Sequence, residues 1–251
     1  MITPLEAVGA LHAWRSAQPA LRSTSFSALD RVCDGFVPGR VWLITGTPGQ
    51  GRSTLAFQWA LQLATRHGVR TDLVTAREPI YLVAARLLAA ESKIPVGHLW
   101  ANEITTHDEA KLRRARLTLA EAPLRIVEHG RPSVLTWDPP QTEMPEAIII
   151  DDADLEAGAF PERLVEFAGQ GVLVIATLPK HQVISPAGID PAWARVADHI
   201  LDVERSDVLD PNSHRPGEAD LHLVRNRWGP QTVITVAFQG HYARFVEMKC
   251  P

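Results

Sequence analysis

Cysteine is nearly absent: Cys33 and Cys250 are the only two in 251 residues. Neither falls in a CxxC or Cys/His ligand spacing, which argues against a disulfide framework and the common zinc sites and suits a reducing compartment. The ten His residues form no HExxH, and no GxSxG or Ser/His/Asp set is present, so zinc-protease and serine-nucleophile chemistry are not expected. No uninterrupted apolar stretch reaches the roughly 18 residues that a bilayer span needs. Met1 to Leu11 also lacks a basic segment followed by an apolar one, so the expectation is a soluble, cytoplasmic chain with no membrane role. A basic excess is missing too: 25 Lys+Arg stand against 29 Asp+Glu, a formal charge of −4. A non-specific nucleic-acid coat is therefore ruled out, and any contact with nucleic acid must be local. Repeats and low-complexity tracts are absent, and 45% hydrophobic with 22% charged residues describes a folded chain.

At about 150 residues per domain the length allows one large α/β domain or one domain with a small appendage. Residues 1–22 read as an arm, with Leu5, Val8, Leu11 and Trp14 spaced along one face of an amphipathic helix. That helix either folds onto its own domain or links to a neighbouring subunit. From Val41 onward strand and helix alternate: strands at Val41–Thr45, Thr71–Ala76, Leu124–Val127, Ala147–Ile150 and Val172–Thr177, and helices at Ser53–Arg66, Tyr81–Glu91, Asp108–Glu121 and Pro161–Ala168. On the third of these helices, Leu112, Leu117 and Leu119 are the residues expected to be buried. Continuous apolar strands separated by helices predict an α/β fold, a mostly parallel sheet covered on both faces. The last fifty residues change to closely spaced strands at His199–Val203, Asp220–Val224, Thr232–Phe238 and Tyr242–Val246, which predicts antiparallel additions to the sheet edge. Pro132–Pro145 and Asp207–Gly217 read as polar loops, and Trp42, Trp59 and Trp193 as core.

The segment Gly46-Thr47-Pro48-Gly49-Gln50-Gly51-Arg52-Ser53-Thr54 follows a strand and opens a helix, the context that gives a G-x-x-x-x-G-K-[ST] phosphate loop its meaning. Its glycines let backbone N–H groups turn around phosphate oxygens, and the helix N-terminus adds partial positive charge. Ser53 is placed to reach Mg²⁺. Arg52 stands where the motif has Lys, exchanging a compact ammonium for a wide planar fork. About one hundred residues on, the strand Ala147-Ile-Ile-Ile ends in Asp151-Asp152, which puts Asp151 beside such a metal ion. Glu78 lies just past the second strand, at the sheet edge where open α/β folds bind ligands. A carboxylate there can orient or deprotonate a water attacking a γ-phosphate, or it can simply be a solvated helix N-terminal Glu.

From about Thr24 to Met248 these residues, in this order, resemble the C-terminal RecA-like ATPase domain of DnaB-family replicative helicases. The resemblance runs through the entry Thr24-Ser-Phe-Ser-Ala-Leu-Asp-Arg-Val-Cys-Asp-Gly-Phe-Val-Pro-Gly, Ala84-Ala-Arg-Leu-Leu-Ala-Ala-Glu-Ser and Ala120-Glu-Ala-Pro-Leu-Arg-Ile-Val-Glu. It is carried furthest by the tail, Leu223-Val-Arg-Asn-Arg-Trp-Gly-Pro and Val236-Ala-Phe-Gln-Gly-His-Tyr-Ala-Arg-Phe. The resemblance implies a RecA-like domain over 23–251, with Gly46 through Thr54 holding the phosphates of ATP or another NTP, Ser53 and Asp151 on the Mg²⁺ side, and Glu78 as catalytic carboxylate. It further implies that Arg225 and Arg227 act in trans as piston and finger on the nucleotide of an adjacent subunit. The expected assembly is a homo-oligomeric ring, a hexamer in this family, handling single-stranded DNA alongside replication or recombination proteins.

Departures from the family pattern qualify that expectation. The resemblance starts at about Thr24, so the family's helical N-terminal domain is not expected within these residues. Pro179 and Asp154 stand where the family usually carries Gln, and Lys180–Pro191 is shorter than its DNA-facing loop, offering little beyond Lys180 and His181 to phosphates. Two alternatives therefore stay open: a helicase-like nucleotide-binding accessory protein with slow or no hydrolysis, and a RecA-like recombination ATPase.

Overall fold

The computed structural model describes residues 3–6, 8, 9, 13, 22–128, 144–156, 160–180, 189–210 and 212–248. Most of the N-terminal arm and of the Pro132–Pro145 loop, together with His181 and Cys250, lie outside them. The elements in chain order are α1 (Ser27–Cys33), β1 (Val41–Gly46), α2 (Arg52–His67), β2 (Thr71–Thr75), α3 (Ile80–Ser92), α4 (Val96–Ala101), α5 (Thr106–Glu121) and β3 (Leu124–Glu128). They continue with β4 (Ala147–Asp151), a 3-10 turn (Ala153–Glu156), α6 (Phe160–Gly169), β5 (Leu173–Pro179), α7 (Pro191–Val196), β6 (His199–Glu204) and α8 (Ser206–Leu209). Strands β7 (Glu218–Asn226), β8 (Thr232–Gln239) and β9 (Arg244–Glu247) close the fold, with a 3-10 turn at Gly240–Tyr242 before the last.

One nine-stranded sheet in the order β3-β2-β4-β5-β1-β6-β7-β8-β9 organises these elements. Neighbours from β3 to β6 are parallel, whereas β7, β8 and β9 add antiparallel at one edge. The burial patterns explain the division. Every residue of β1, β2 and β4 is buried, as a strand covered on both faces requires, while β7 alternates between buried and partly exposed positions as half-covered strands do.

On one face Trp42, Trp59 and Phe36 meet edge to face, with ring centroids 5.1–6.0 Å apart. The Trp59 indole N–H donates to the Thr24 carbonyl at 3.1 Å, so this large side chain is buried without losing its polar group. On the other face Trp193 and Phe167 pack with the apolar residues of β1, β4 and β5.

Two local expectations are revised. Leu117 is 58% exposed, because α5 turns only Leu112 and Ala115 fully inward. The Asp207–Gly217 stretch is not all loop, since its start belongs to the short helix α8. Helices α1, α4 and α7 carry too few periodic residues to be legible in the sequence. Helix α7 nevertheless has a clear start: Pro191 is its first residue, and the Asp190 side chain accepts from the Ala192 N–H at 2.7 Å. Among the described residues, no helix is long and apolar enough to cross a membrane.

Candidate phosphate site at the carboxyl edge of the sheet

Strands β1, β2, β4 and β5 are parallel, so their carboxyl ends share one edge, with Thr75 level with Asp151 and Gly46 level with Pro179. That shared edge brings together Gly46–Thr54, Glu78 and Asp151, which are far apart in the chain. The loop depends on its glycines: Gly46, Gly49 and Gly51 have φ of 152°, 85° and 102°. A Cβ at Gly46 would lie 2.7 Å from the Val203 carbonyl, and one at Gly51 would lie 2.7 Å from Cζ of Phe245. Beyond Gly51 the chain enters α2 with no side-chain cap, which leaves N-terminal N–H groups facing the loop.

The Arg52 guanidinium turns toward the end of β4, with Nη2 3.7 Å from a carboxylate oxygen of Asp152. Its other terminal nitrogen, Nη1, is buried with no hydrogen-bond partner. Asp151 is fully buried and accepts from Thr177 Oγ1 at 2.8 Å, and Ser53 also hydrogen-bonds to it. Burial, reinforced by the neighbouring Asp152 charge, pushes the Asp151 carboxyl up to about 6 against those two hydrogen bonds.

Glu78 is raised from the ordinary carboxylate range by burial, with Arg86 opposing and Asp152 adding to the rise. Arg86 holds Oε1 of Glu78 at 3.0 Å, while Oε2 is buried and unpartnered. The loop backbone, the orphaned Arg52 nitrogen and the Ser53–Asp151 oxygen pair fit a phosphate chain with a hard cation such as Mg²⁺. One anchored and one open carboxylate oxygen on Glu78 fits a group that orients or accepts from water.

Several residues here escape sequence reasoning. Arg205 braces the loop from outside. Its N–H donates to Gln50 Oε1, its guanidinium donates to the Gly49 carbonyl at 3.3 Å, and it lies 3.8 Å over the Phe238 ring. Val208 of α8 closes on the same turn, 3.4 Å from where a Gly49 Cβ would be. Lys180 is not a solvated loop cation: it pairs with the buried Asp202, which also accepts from Thr45 Oγ1, and its N–H donates to the Gly46 carbonyl. Thr177, one of these missed residues, does have a sequence signal, a hydroxyl at the end of a buried strand.

Arg225 and Arg227 lie elsewhere. Arg225 stands opposite Ile200, and Arg227 bonds through its N–H to the Asp198 carbonyl, whereas Asp202 is level with Thr45 beside the loop. The pair therefore occupies the opposite end of the sheet from the chain's own phosphate loop. Here Arg225 donates to the Ala194 carbonyl at 2.7 Å, and Arg227 pairs with Asp198 at 3.2 Å. Trp228, 55% exposed, has the Arg40 guanidinium 4.1 Å from its ring centre.

This topology and loop define a RecA-like P-loop domain. Residues 22–143 match the family model described as DnaB-like helicase C terminal domain. The chain is 25% identical to the replicative DNA helicase DnaB of Leifsonia xyli over 253 residues, covering 90% of this chain and 55% of the relative. DNA repair protein RadA is also similar, at 28% identity in Pseudomonas aeruginosa and 45% in Salmonella typhimurium, in each case over 82% of this chain and 41% and 40% of the relative. The chain thus spans about half the length of the curated relatives it matches. Among solved structures, a DnaB-like replicative helicase described with its interactions with primase superposes with a TM-score of 0.82 at 18% identity, covering 98% of this chain and 69% of that one. A separately solved ATPase domain superposes with a TM-score of 0.84 at 19% identity, covering 97% of both chains. Both are likenesses of fold.

Proposed function

We propose that this chain is a nucleoside-triphosphate-driven motor domain of the DnaB helicase type, binding ATP with Mg²⁺ at Gly46–Thr54 and acting in a homo-oligomeric ring on single-stranded DNA. The observation that carries the reading is the convergence of the phosphate loop, Ser53–Asp151 and Glu78 on one sheet edge, with Arg225 and Arg227 at the other end. A bound Mg²⁺ would neutralise charge on the β- and γ-phosphates. The loop N–H groups and Arg52 bind and orient the phosphates, and Glu78 Oε2 positions the attacking water and takes its proton. Arg225 and Arg227 cannot reach their own loop, so they serve the loop of a neighbouring subunit, where guanidinium groups stabilise charge on the transferring phosphoryl group.

Glu78→Gln is expected to retain ATP binding while lowering turnover about 10²- to 10⁴-fold, measured by phosphate release with and without single-stranded DNA. A mutant with unchanged turnover would overturn the role of Glu78, and a strict monomer with nucleotide present would overturn the ring. A second reading, a nucleotide-binding accessory with slow hydrolysis, is favoured by the pairing of Arg52 with Asp152. It predicts ATP binding with negligible turnover that Arg52→Lys restores. The RadA similarity supports a recombination-type task for the same site, which unwinding assays on forked and recombination substrates separate from a replicative one.

A further inference from the structure

Asp152 belongs to no role assigned so far, yet it meets Arg52, Arg77 and Thr177, and its charge acts on both Asp151 and Glu78. It is a non-glycine residue in the left-handed region, at φ 54°. Its N–H donates to Thr177 Oγ1 at 2.8 Å, the same hydroxyl that donates to Asp151. Its carboxylate lies between two guanidinium groups, 3.7 Å from Arg52 Nη2 and 3.9 Å from Arg77 Nε. The Arg52 and Asp152 side chains are only 12% and 15% exposed, whereas Arg77 is 63% exposed. At 3.7 Å the inner pair attracts by charge without the geometry of a hydrogen bond, and Arg52 Nη1 has no partner at all. A buried guanidinium left so poorly satisfied gains charge-assisted hydrogen bonds by turning to phosphate oxygens.

We propose that Asp152 is a built-in counter-ion that competes with phosphate for Arg52, and that Arg77 takes over the Asp152 carboxylate when Arg52 turns to a bound nucleotide. The proposal rests on the reading of Gly46–Thr54 as a nucleotide site. It gives Asp152 and Arg77 positioning roles exerted through Arg52, and it makes the Arg in the place of the motif's Lys half of a matched pair.

The test is calorimetric titration of the full chain with ATP, with Mg²⁺ and separately in EDTA. Asp152→Asn tolerates the left-handed backbone and removes the competing charge, so it is expected to tighten ATP binding about tenfold, the order set by two unit charges near 4 Å in a partly solvated cleft. Arg77→Ala is expected to weaken binding several-fold in the wild-type background and to have no effect in the Asp152→Asn background. A general loss of positive charge would instead weaken both backgrounds alike. Binding by Asp152→Asn that is unchanged or weaker, or an Arg77 effect that persists without Asp152, overturns the counter-ion proposal while the nucleotide site stands. If the wild type and both variants melt normally and none binds millimolar ATP, the nucleotide reading itself fails, and the proposal with it.

Discussion

His199 offers a sharp test of the packing around the Arg225–Arg227 end of the sheet. Its ring is fully buried, 4.2 Å from the Trp42 ring, with Nε2 3.3 Å from Arg40 Nη1 and Nδ1 without a partner. Nε2 therefore accepts from Arg40 and the ring is neutral, with its proton on the unpartnered Nδ1. Burial, helped by the Arg40 charge, pulls the imidazole down to about 3 from 6.5. Between those values the unfolded chain binds a proton that the folded chain does not, so stability must fall as pH drops below about 6.5. From pH 7 to pH 5 the loss works out at about 2 kcal/mol for this one group. Asp151, raised to about 6, acts in the opposite direction, as does any other carboxyl raised by folding. These terms cancel when wild type is compared with His199→Asn across the same pH range. Urea unfolding of both at pH 5, 6 and 7 should show the wild type losing about 2 kcal/mol more than the variant. Parallel pH profiles, or an imidazole resonance assigned to His199 that titrates near 6.5, would refute the buried neutral ring.

Two further substitutions probe the loop and the core. Gly51→Ala adds a Cβ at φ 102° and 2.7 Å from the Phe245 ring, so it should cost about 2–4 kcal/mol in urea unfolding and abolish ATP binding; a fully stable variant that still binds would refute the cradle geometry. Trp59→Ala removes a fully buried indole, its bond to the Thr24 carbonyl and two edge-to-face contacts, and should cost about 3–5 kcal/mol by the same assay; a loss below about 1 kcal/mol would show that the aromatic cluster does not anchor α2.

The parallel core was legible because β1, β4 and β5 are continuous apolar runs, a pattern that only double-sided burial explains. The phosphate loop was equally readable, since its glycines impose the backbone they occupy. Asp152, Arg205 and Arg86 were not, for a shared reason: each acts on a residue brought near it by strand order or by a helix turn, and neither relation leaves a mark in local composition. Leu117 misled because a helix edge is set by what packs beside it, and α5 turns Leu112 and Ala115 fully inward, with Leu119 partly buried against the core and Leu117 left outside.

The formal charge of −4 required any nucleic-acid contact to come from local cations. In the fold many of those cations are already committed: Arg52 to Asp152, Lys180 to Asp202, Arg205 to Asp207, Arg215 to Glu218 and Asp220, and Arg227 to Asp198. Each pairing gives up its cation only if something equally anionic replaces the carboxylate. For Arg52 the proposed nucleotide phosphate would be that replacement, and for Arg227 the phosphate of a neighbour's nucleotide would be. Lys180, whose carboxylate is buried and also bonded to Thr45, has no comparable release. In the proposed ring, binding of nucleotide and association of subunits would therefore free the charge of Arg52 and Arg227, and a grip on DNA that draws on those two cations would follow both.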